Sequence, residues 1–271
     1  MNPFALILMS ATVGGDSLGE TLRQNFSGGA VSETLFKRVG PEPKRFMKGD
    51  AAGLRITLPG KEAPPPIGVA SRLAVHGDFE ITASYRLLKV DKPTNGYGAG
   101  VSLWIAMETP EADAATLARF IRPKGGDVFS MDHASNDSEG KRKHKELYVP
   151  TDAKTGKLRL TRSGSTLVYL ATQGNDAPFQ ELRREEFGAA PLKGVRIAAD
   201  TGGAPVEVDV VLVDLEIRSS ELSASTASGR QTSGTGRLIW IVGLVIGATL
   251  GLGGLLYWRR RRGQAESPGS A

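Results

Sequence analysis

Apolar and polar residues alternate with a period of two along much of the chain. From Phe79 to Leu87 the apolar set is Phe79, Ile81, Ala83, Tyr85 and Leu87, with Glu80, Thr82, Ser84 and Arg86 between them. Successive side chains of an extended chain point to opposite faces, so this predicts a strand with one face buried. Val101, Leu103, Ile105 and Met107 repeat the pattern with Ser102, Trp104 and Ala106 opposite, and Leu54, Ile56 and Leu58 repeat it again. Gly156–Ala171 predicts a hairpin, with Leu158 and Leu160 on one arm, a turn at Ser163-Gly164, and Thr166–Ala171 returning. Val206, Val208 and Val210 give way to Val211, Val213, Leu215 and Ile217 in the opposite phase, which predicts a β-bulge or a bend. One stretch, Pro110–Phe120, predicts a helix: Thr109 would cap it, Pro110 suits its first position, and Glu111 and Asp113 suit its first turn. Strand-like runs return about every 10 to 15 residues, the spacing of an antiparallel β-sandwich or jelly roll.

The pattern changes near the C-terminus. Leu238 to Trp258 is a run of 21 residues without a charge. As a helix it would be roughly 30 Å long, the thickness of a bilayer core. Trp240 stands near one end and Tyr257 and Trp258 at the other, as in the aromatic belts of membrane interfaces. A single transmembrane helix is therefore expected at 237–258. Gly243, Gly247 and Gly251 would line one face of it and permit weak self-association through close backbone packing. Arg259 to Arg262 follow directly, against Arg230 and Arg237 on the other flank. The positive-inside rule then places the basic tail, 259–271, in the cytoplasm and the large domain outside the cytoplasmic membrane. The competing arrangement, a tail anchor with a cytoplasmic domain, would carry four arginines across the bilayer.

Between domain and span, 219–236 holds 12 Ser, Thr or Gly among 18 residues, which reads as a flexible stalk. At the other end, 1–16 carries a short apolar stretch, Phe4–Met9, with no preceding Lys or Arg, a weak or truncated leader. The sandwich is left with 17–218.

Composition narrows the function classes. The 271 residues carry a net charge of +5, of which the tail accounts for +3, so the basic balance marks a stop-transfer signal and not a nucleic-acid partner. No cysteine occurs, which excludes disulfides, thiolate metal sites and cysteine nucleophiles.

The order of segments carries a resemblance. GDFEITASYRLL (Gly77–Leu88), GAGVSLWIAM (Gly98–Met107), the hairpin GKLRLTRSGSTLVYLA (Gly156–Ala171), FQEL (Phe179–Leu182) and the pair within Val195–Ile217 follow one another. This resembles the concanavalin A-like lectin/glucanase superfamily, most nearly the uncharacterised domains of that fold in planctomycete surface proteins. The resemblance implies an all-β, antiparallel jelly-roll sandwich and bears on fold more than on function.

Glucanases of that superfamily carry Glu-x-Asp-x-x-Glu on one strand. Here the nearest match, Glu111-Ala112-Asp113-Ala114-Ala115-Thr116, ends in threonine and lies in the expected helix. Glu185 and Glu186 are adjacent, so on a strand they face opposite ways. No catalytic residues are assigned, and a non-enzymatic domain is expected. His76, His133 and His144 are scattered and read as loop histidines, with no metal or cofactor expected. Asp132, Asn136, Asp137 and Glu139 offer hard oxygens of the kind calcium takes, without EF-hand spacing, and read as a polar loop. The basic run Lys141–Lys145 reads as an exposed loop. Gly96–Gly100 lacks the dinucleotide fingerprint and reads as a turn into a strand.

Trp104 and Tyr97 are the candidate ligand-binding residues, because a flat ring on a sheet face can stack on the apolar face of a sugar. The expected function is a membrane-anchored, extracytoplasmic binding or adhesion module for a glycan or cell-wall polymer. The alternatives are a glycan-active hydrolase with a site outside the known motif and a purely structural surface subunit.

Overall fold

The computed structural model describes residues 18–224. Fifteen strands carry the fold among them: β1 (Glu20–Asn25), β2 (Phe36–Val39), β3 (Met47–Asp50), β4 (Gly53–Leu58), β5 (Ile67–Ser71), β6 (Leu73–Val90), β7 (Ala99–Met107), β8 (Ala114–Arg122), β9 (Gly126–Asn136), β10 (Arg142–Pro150), β11 (Thr155–Ser163), β12 (Thr166–Ala171), β13 (Gln180–Glu186), β14 (Leu192–Asp200) and β15 (Val208–Ala224). One α-helical turn, α1 (Pro43–Phe46), precedes β3. The leader, the transmembrane helix with Gly243, Gly247 and Gly251, and the basic tail fall outside the described residues.

All pairings are antiparallel, and they form two layers. The first runs β10-β9-β8-β7-β14-β5-β2. The second runs β13-β12-β11-β6-β15, with β4 and β1 sharing the far edge of β15 and β3 beyond β4. A single pair, Leu192 with Val75, stitches the layers together. The inward residues of both layers merge into one hydrophobic core. Phe79, Ile81, Ala83 and Tyr85 of β6 meet there with Val101, Leu103 and Ile105 of β7 and Leu54, Ile56 and Leu58 of β4. These are the apolar positions that the period of two picks out. The hairpin also forms, β11 and β12 joined through Gly164 at φ +59°.

The phase change in β15 is a bulge at Val213. The core set is Val208, Val210 and Leu212 before it and Leu215 and Ile217 after it. The register against β6 slips between Leu212 and Asp214, with a further shift between Asp209 and Val210. Val213 is left out of the ladder, and its carbonyl accepts the Phe26 N–H at 3.0 Å.

Two expectations are corrected. Pro110–Phe120 is not a helix: β8 begins at Ala114, and the capping signals before it build a tight turn instead. Thr109 Oγ1 donates to Asp113 Oδ2 at 3.0 Å, and Ala112 sits at φ +52°. β8 is apolar on both faces, Ala115 and Leu117 inward and Ala118 and Phe120 outward, so a period of two is invisible in it and tertiary pairing overrides helix propensity. The stalk does not begin at Ser219: β15 continues to Ala224, pairing with Leu73–His76. Polar composition hides this extension because the pairing is made by backbone. Buried Ser219 and the Leu222 side chain, packed against the core, anchor it.

Candidate functional site

The first layer turns one face to the core and the other outward. The alternation that buries Val101, Leu103 and Ile105 of β7 sends Gly100, Ser102, Trp104 and Ala106 to the outer face. The ladders align these with their neighbours in rows across the strands. One row reads Ala70, Arg196, Trp104, Thr116, Asp132, Glu146. The next reads Gly68, Ala198, Ser102, Ala118, Ser130, Tyr148. A third reads Asp200, Gly100, Phe120, Val128 and Pro150. The middle row is a floor of small residues, roughly 20 Å long and ending at Tyr148, with larger side chains about 7 Å away on either side. Those side chains lie down over it: Ala118 and Ala198 are wholly buried although they face outward. Ala118, Phe120 and Val128, with Tyr148 against them, form a small apolar cluster separate from the main core.

Beside the middle of the floor, on the same strand as Ser102, Trp104 is half-buried between two neighbours. The Arg196 guanidinium lies over its ring at 4.8 Å. Gly194 leaves room for its edge, since a Cβ there would stand 3.4 Å from Cζ3. Burial lowers the pKa of Arg196, against the charge of Asp200, four residues along the same strand. Asp200 is bonded locally: its Oδ1 accepts the Tyr97 hydroxyl at 2.9 Å and the Gly202 N–H at 2.9 Å. Burial nevertheless raises its pKa above the usual carboxylate range. Tyr97 leads into β7 through glycines at positive φ, 41 % exposed, its ring centroid 6.0 Å from that of Phe120. Trp104 and Tyr97 therefore share one face, as a binding role requires.

Toward β10 the face carries two carboxylates among the cations Arg122 and Arg142. Asp132 Oδ2 is bonded to His144 Nδ1 at 2.9 Å, and Glu146 Oε2 accepts the Tyr148 hydroxyl at 2.5 Å. Asp132 and Glu146 are directly paired across β9 and β10 on the same face. Burial raises the pKa of Asp132 and outweighs the pull of His144, and neighbouring Glu146 adds to the rise. Burial, then the bond to Glu146, pushes the Tyr148 phenol up to about 12. The Arg122 guanidinium covers the Tyr148 ring at 3.5 Å.

Six buried side-chain atoms among the described residues have no hydrogen-bond partner, and four of them lie on this face: Ser102 Oγ, Arg122 Nε, Asp132 Oδ1 and Arg196 Nε. An unpaired buried polar atom costs about 1–3 kcal/mol. Their concentration on one face sets it apart from the rest of the sandwich.

The histidines were not legible from spacing. His133 points inward from β9, 8 % exposed, its Nδ1 bonded to Glu185 at 3.2 Å and its Nε2 to Asp113 at 3.3 Å. Glu185 also accepts Tyr169 at 2.7 Å and Arg183 at 2.6 Å, while Glu186 is exposed, as their adjacency requires. Only its pairing with Ala115, an inward position, marks His133 as internal. His76 bonds Ser223 on β15 at 2.8 Å. The acidic set does not converge: Asp132 and Asn136 are on β9, and Asp137 is spent in the turn, accepting the N–H groups of Glu139 and Lys141. No group of three or more metal-ligating side chains occurs among the described residues. Lys143, His144 and Lys145 lie on the edge strand β10 and not in a loop.

Residues 7–235 match the family described as "Protein of unknown function (DUF1583) C domain". No curated protein sequence matches the chain. Among solved structures, "Crh5 transglycosylase in complex with NAG" is similar at a TM-score of 0.52 and 10% identity, over 77% of this chain and 88% of that one. The Ca2+/Man2-bound exoplasmic/lumenal domain of VIP36 is similar at 0.50 and 10%, over 75% and 95%. A legume lectin-like domain from Entamoeba histolytica is similar at 0.48 and 12%, over 76% and 99%. At these identities the likeness to the first two shows the fold alone, an all-β antiparallel sandwich, and leaves the chemistry to the residues.

Proposed function

We propose that this chain, which belongs to the DUF1583 C-domain family, is a glycan-binding β-sandwich that uses the outer face of β7, β8, β9, β10 and β14. It works as a surface module of the planctomycete kind that its sequence resembles. Its C-terminal segment holds it in the cytoplasmic membrane, the sandwich outside and the basic tail inside. The observation that carries the binding role is that Trp104, Tyr97 and Tyr148 lie on one face along a floor of small residues whose central hydroxyl, Ser102 Oγ, is buried and unpaired. Flat rings flanking a floor of small side chains suit the apolar face of a sugar, and the unpaired polar atoms suit its hydroxyls.

The test is a glycan array probed with the full chain in detergent, followed by titration of the best hits. Binding that Trp104→Leu and Tyr97→Leu each weaken at least fivefold supports the reading. An array with no hits, or hits indifferent to both substitutions, overturns it.

A second reading, a glycan-active hydrolase, is favoured by Asp132 and Glu146. Directly paired residues place their Cβ atoms about 5 Å apart, and retaining glycosidases hold their two carboxyls about 5–5.5 Å apart. Asp132, with its raised pKa, would be the acid and Glu146 the nucleophile. Release of reducing ends from array hits, abolished by Asp132→Asn and by Glu146→Gln, would establish it. Intact ligands after prolonged incubation would exclude it for those ligands.

A further inference from the structure

Two arginines of the outer face, Arg122 and Arg196, differ from Arg142 on the same face, which donates to the Ala112 carbonyl at 2.6 Å and to Asn136 Oδ1 at 3.3 Å. Among the described residues, four arginines of the second layer are in ion pairs: Arg55 with Asp209, Arg159 with Glu80, Arg183 with Glu185 and Arg218 with Glu80. Buried Arg119 is bonded to Asp127 and two backbone carbonyls, and Arg162 to carbonyls. Arg122 and Arg196 are half-buried yet have neither a hydrogen-bond acceptor nor a carboxylate partner among the described residues, and the Nε of each is buried and unpaired. Each guanidinium instead sits over an aromatic ring, Arg196 over Trp104 at 4.8 Å and Arg122 over Tyr148 at 3.5 Å.

This arrangement costs stability unless something else supplies the acceptor. A half-buried guanidinium loses hydration without a compensating bond. The contact with the ring uses no N–H, so the terminal N–H groups of each guanidinium stay free for an anionic acceptor. Asp200 does not fill this role for Arg196: it forms no ion pair with it, and its oxygens are already bonded to Tyr97 and Gly202. Ser102, 2 % exposed and unpaired, lies diagonally across the β14–β7 ladder from Arg196.

Resting on the glycan-binding reading, we propose that the ligand is an acidic glycan, whose carboxylate or sulfate groups bind at two subsites. One subsite is Arg196 with Ser102 beside Trp104. The other is Arg122 beside Tyr148. Arg122 lies six residues along β8 from the row of Arg196, so the subsites are roughly 20 Å apart. One polymer chain bearing repeated acidic groups reaches both, and two weak contacts on one chain reinforce each other.

The test titrates the full chain in detergent with size-matched hexasaccharides: cellohexaose as the neutral probe, oligogalacturonate as the carboxylate and a carrageenan hexasaccharide as the sulfate. The proposal expects one anionic probe to bind at least tenfold more tightly than the neutral one, with the preference falling as salt rises. Arg196→Gln and Arg122→Gln should each reduce that preference at least threefold, and Arg196→Lys should restore part of it, with melting curves confirming that each variant is folded. Which anionic probe wins separates uronate from sulfate. Equal binding of neutral and anionic probes overturns this proposal while leaving glycan binding in place. Binding of none of the probes, together with an empty array, overturns both. Equal binding of a 20-nucleotide oligothymidylate overturns the glycan specificity and marks a general polyanion site.

Discussion

Ser102→Ala isolates the cost of keeping this face ready for a ligand. The substitution deletes one oxygen from a residue that is 2 % exposed, whose hydroxyl has no partner among the described residues. Its ladder neighbours on the outer face, Ala198 and Ala118, are fully buried alanines, so an alanine at 102 continues the same floor without a clash. A buried hydroxyl without a hydrogen bond costs about 1–3 kcal/mol on mutational evidence. Against this stands the small void left by one missing atom, a fraction of the ~1 kcal/mol for a lost methyl-sized group. The net expectation is a gain of about 1 kcal/mol. For a domain of about 200 residues that is roughly 2–4 °C in melting temperature. Scanning calorimetry of the ligand-free protein measures it. Ser130→Ala, in the same row but outside the set of unpaired buried atoms, is the control and should move the midpoint by less than about 1 °C. A ligand should reverse the order, because the alanine lacks the donor. If Ser102→Ala lowers the melting temperature, the hydroxyl is satisfied in solution and is not held in reserve.

Trp104→Ala should cost about 3 kcal/mol: roughly 100 Å² of half-buried indole at about 25 cal/mol per Å², plus about 0.5–1 kcal/mol for the Arg196 stack. A melting shift under about 2 °C would mean that the ring does not pack as described, and a double-mutant cycle with Arg196→Met should recover the stacking part. His133 gives the fold a pH dependence. Its bond to Glu185, and then Asp113, raise its pKa above the ordinary value despite burial. A raised histidine pKa adds stability below the unfolded value, about 6.5, and that contribution fades as pH rises through the folded value. The melting advantage of the native chain over His133→Gln should therefore shrink from pH 6 upward, and an advantage that grows with pH would refute the network. Ending the chain after Arg218 instead of Ala224 removes the ladder from β15 to Leu73–His76 and the Leu222 contact. That should cost about 2 kcal/mol, roughly 4–8 °C, and equal midpoints would show that the last six residues are dispensable.

What the sequence discloses here is set by which faces are buried. β6 and the inward half of β7 alternate cleanly, so the sandwich, the hairpin and the bulge in β15 are readable. β8 has apolar residues on both faces and no alternation, and strong capping residues before it point to a helix that the sheet does not allow. The end of β15 is paired through its backbone, which leaves no trace in a run of serines. Trp104 and Tyr97 stand out because aromatic rings are scarce in this chain. Their companions do not: Arg196, Asp132 and Tyr148 come from three other strands, and only the register of β14, β9 and β10 puts them on one face. Ser102 is an ordinary polar alternate in the sequence, and it becomes informative once burial leaves its hydroxyl without a partner.

Hydroxyl-radical footprinting of the full chain, with and without the best array ligand, tests the central claim most directly, because it reads the solvent access of aromatic side chains one by one. Bound ligand should protect Trp104, Tyr97 and Tyr148 together, while exposed Leu88 on β6 of the other layer reacts as before. Protection of Leu88, or saturating ligand that leaves all three rings as reactive as in the free protein, would contradict that claim.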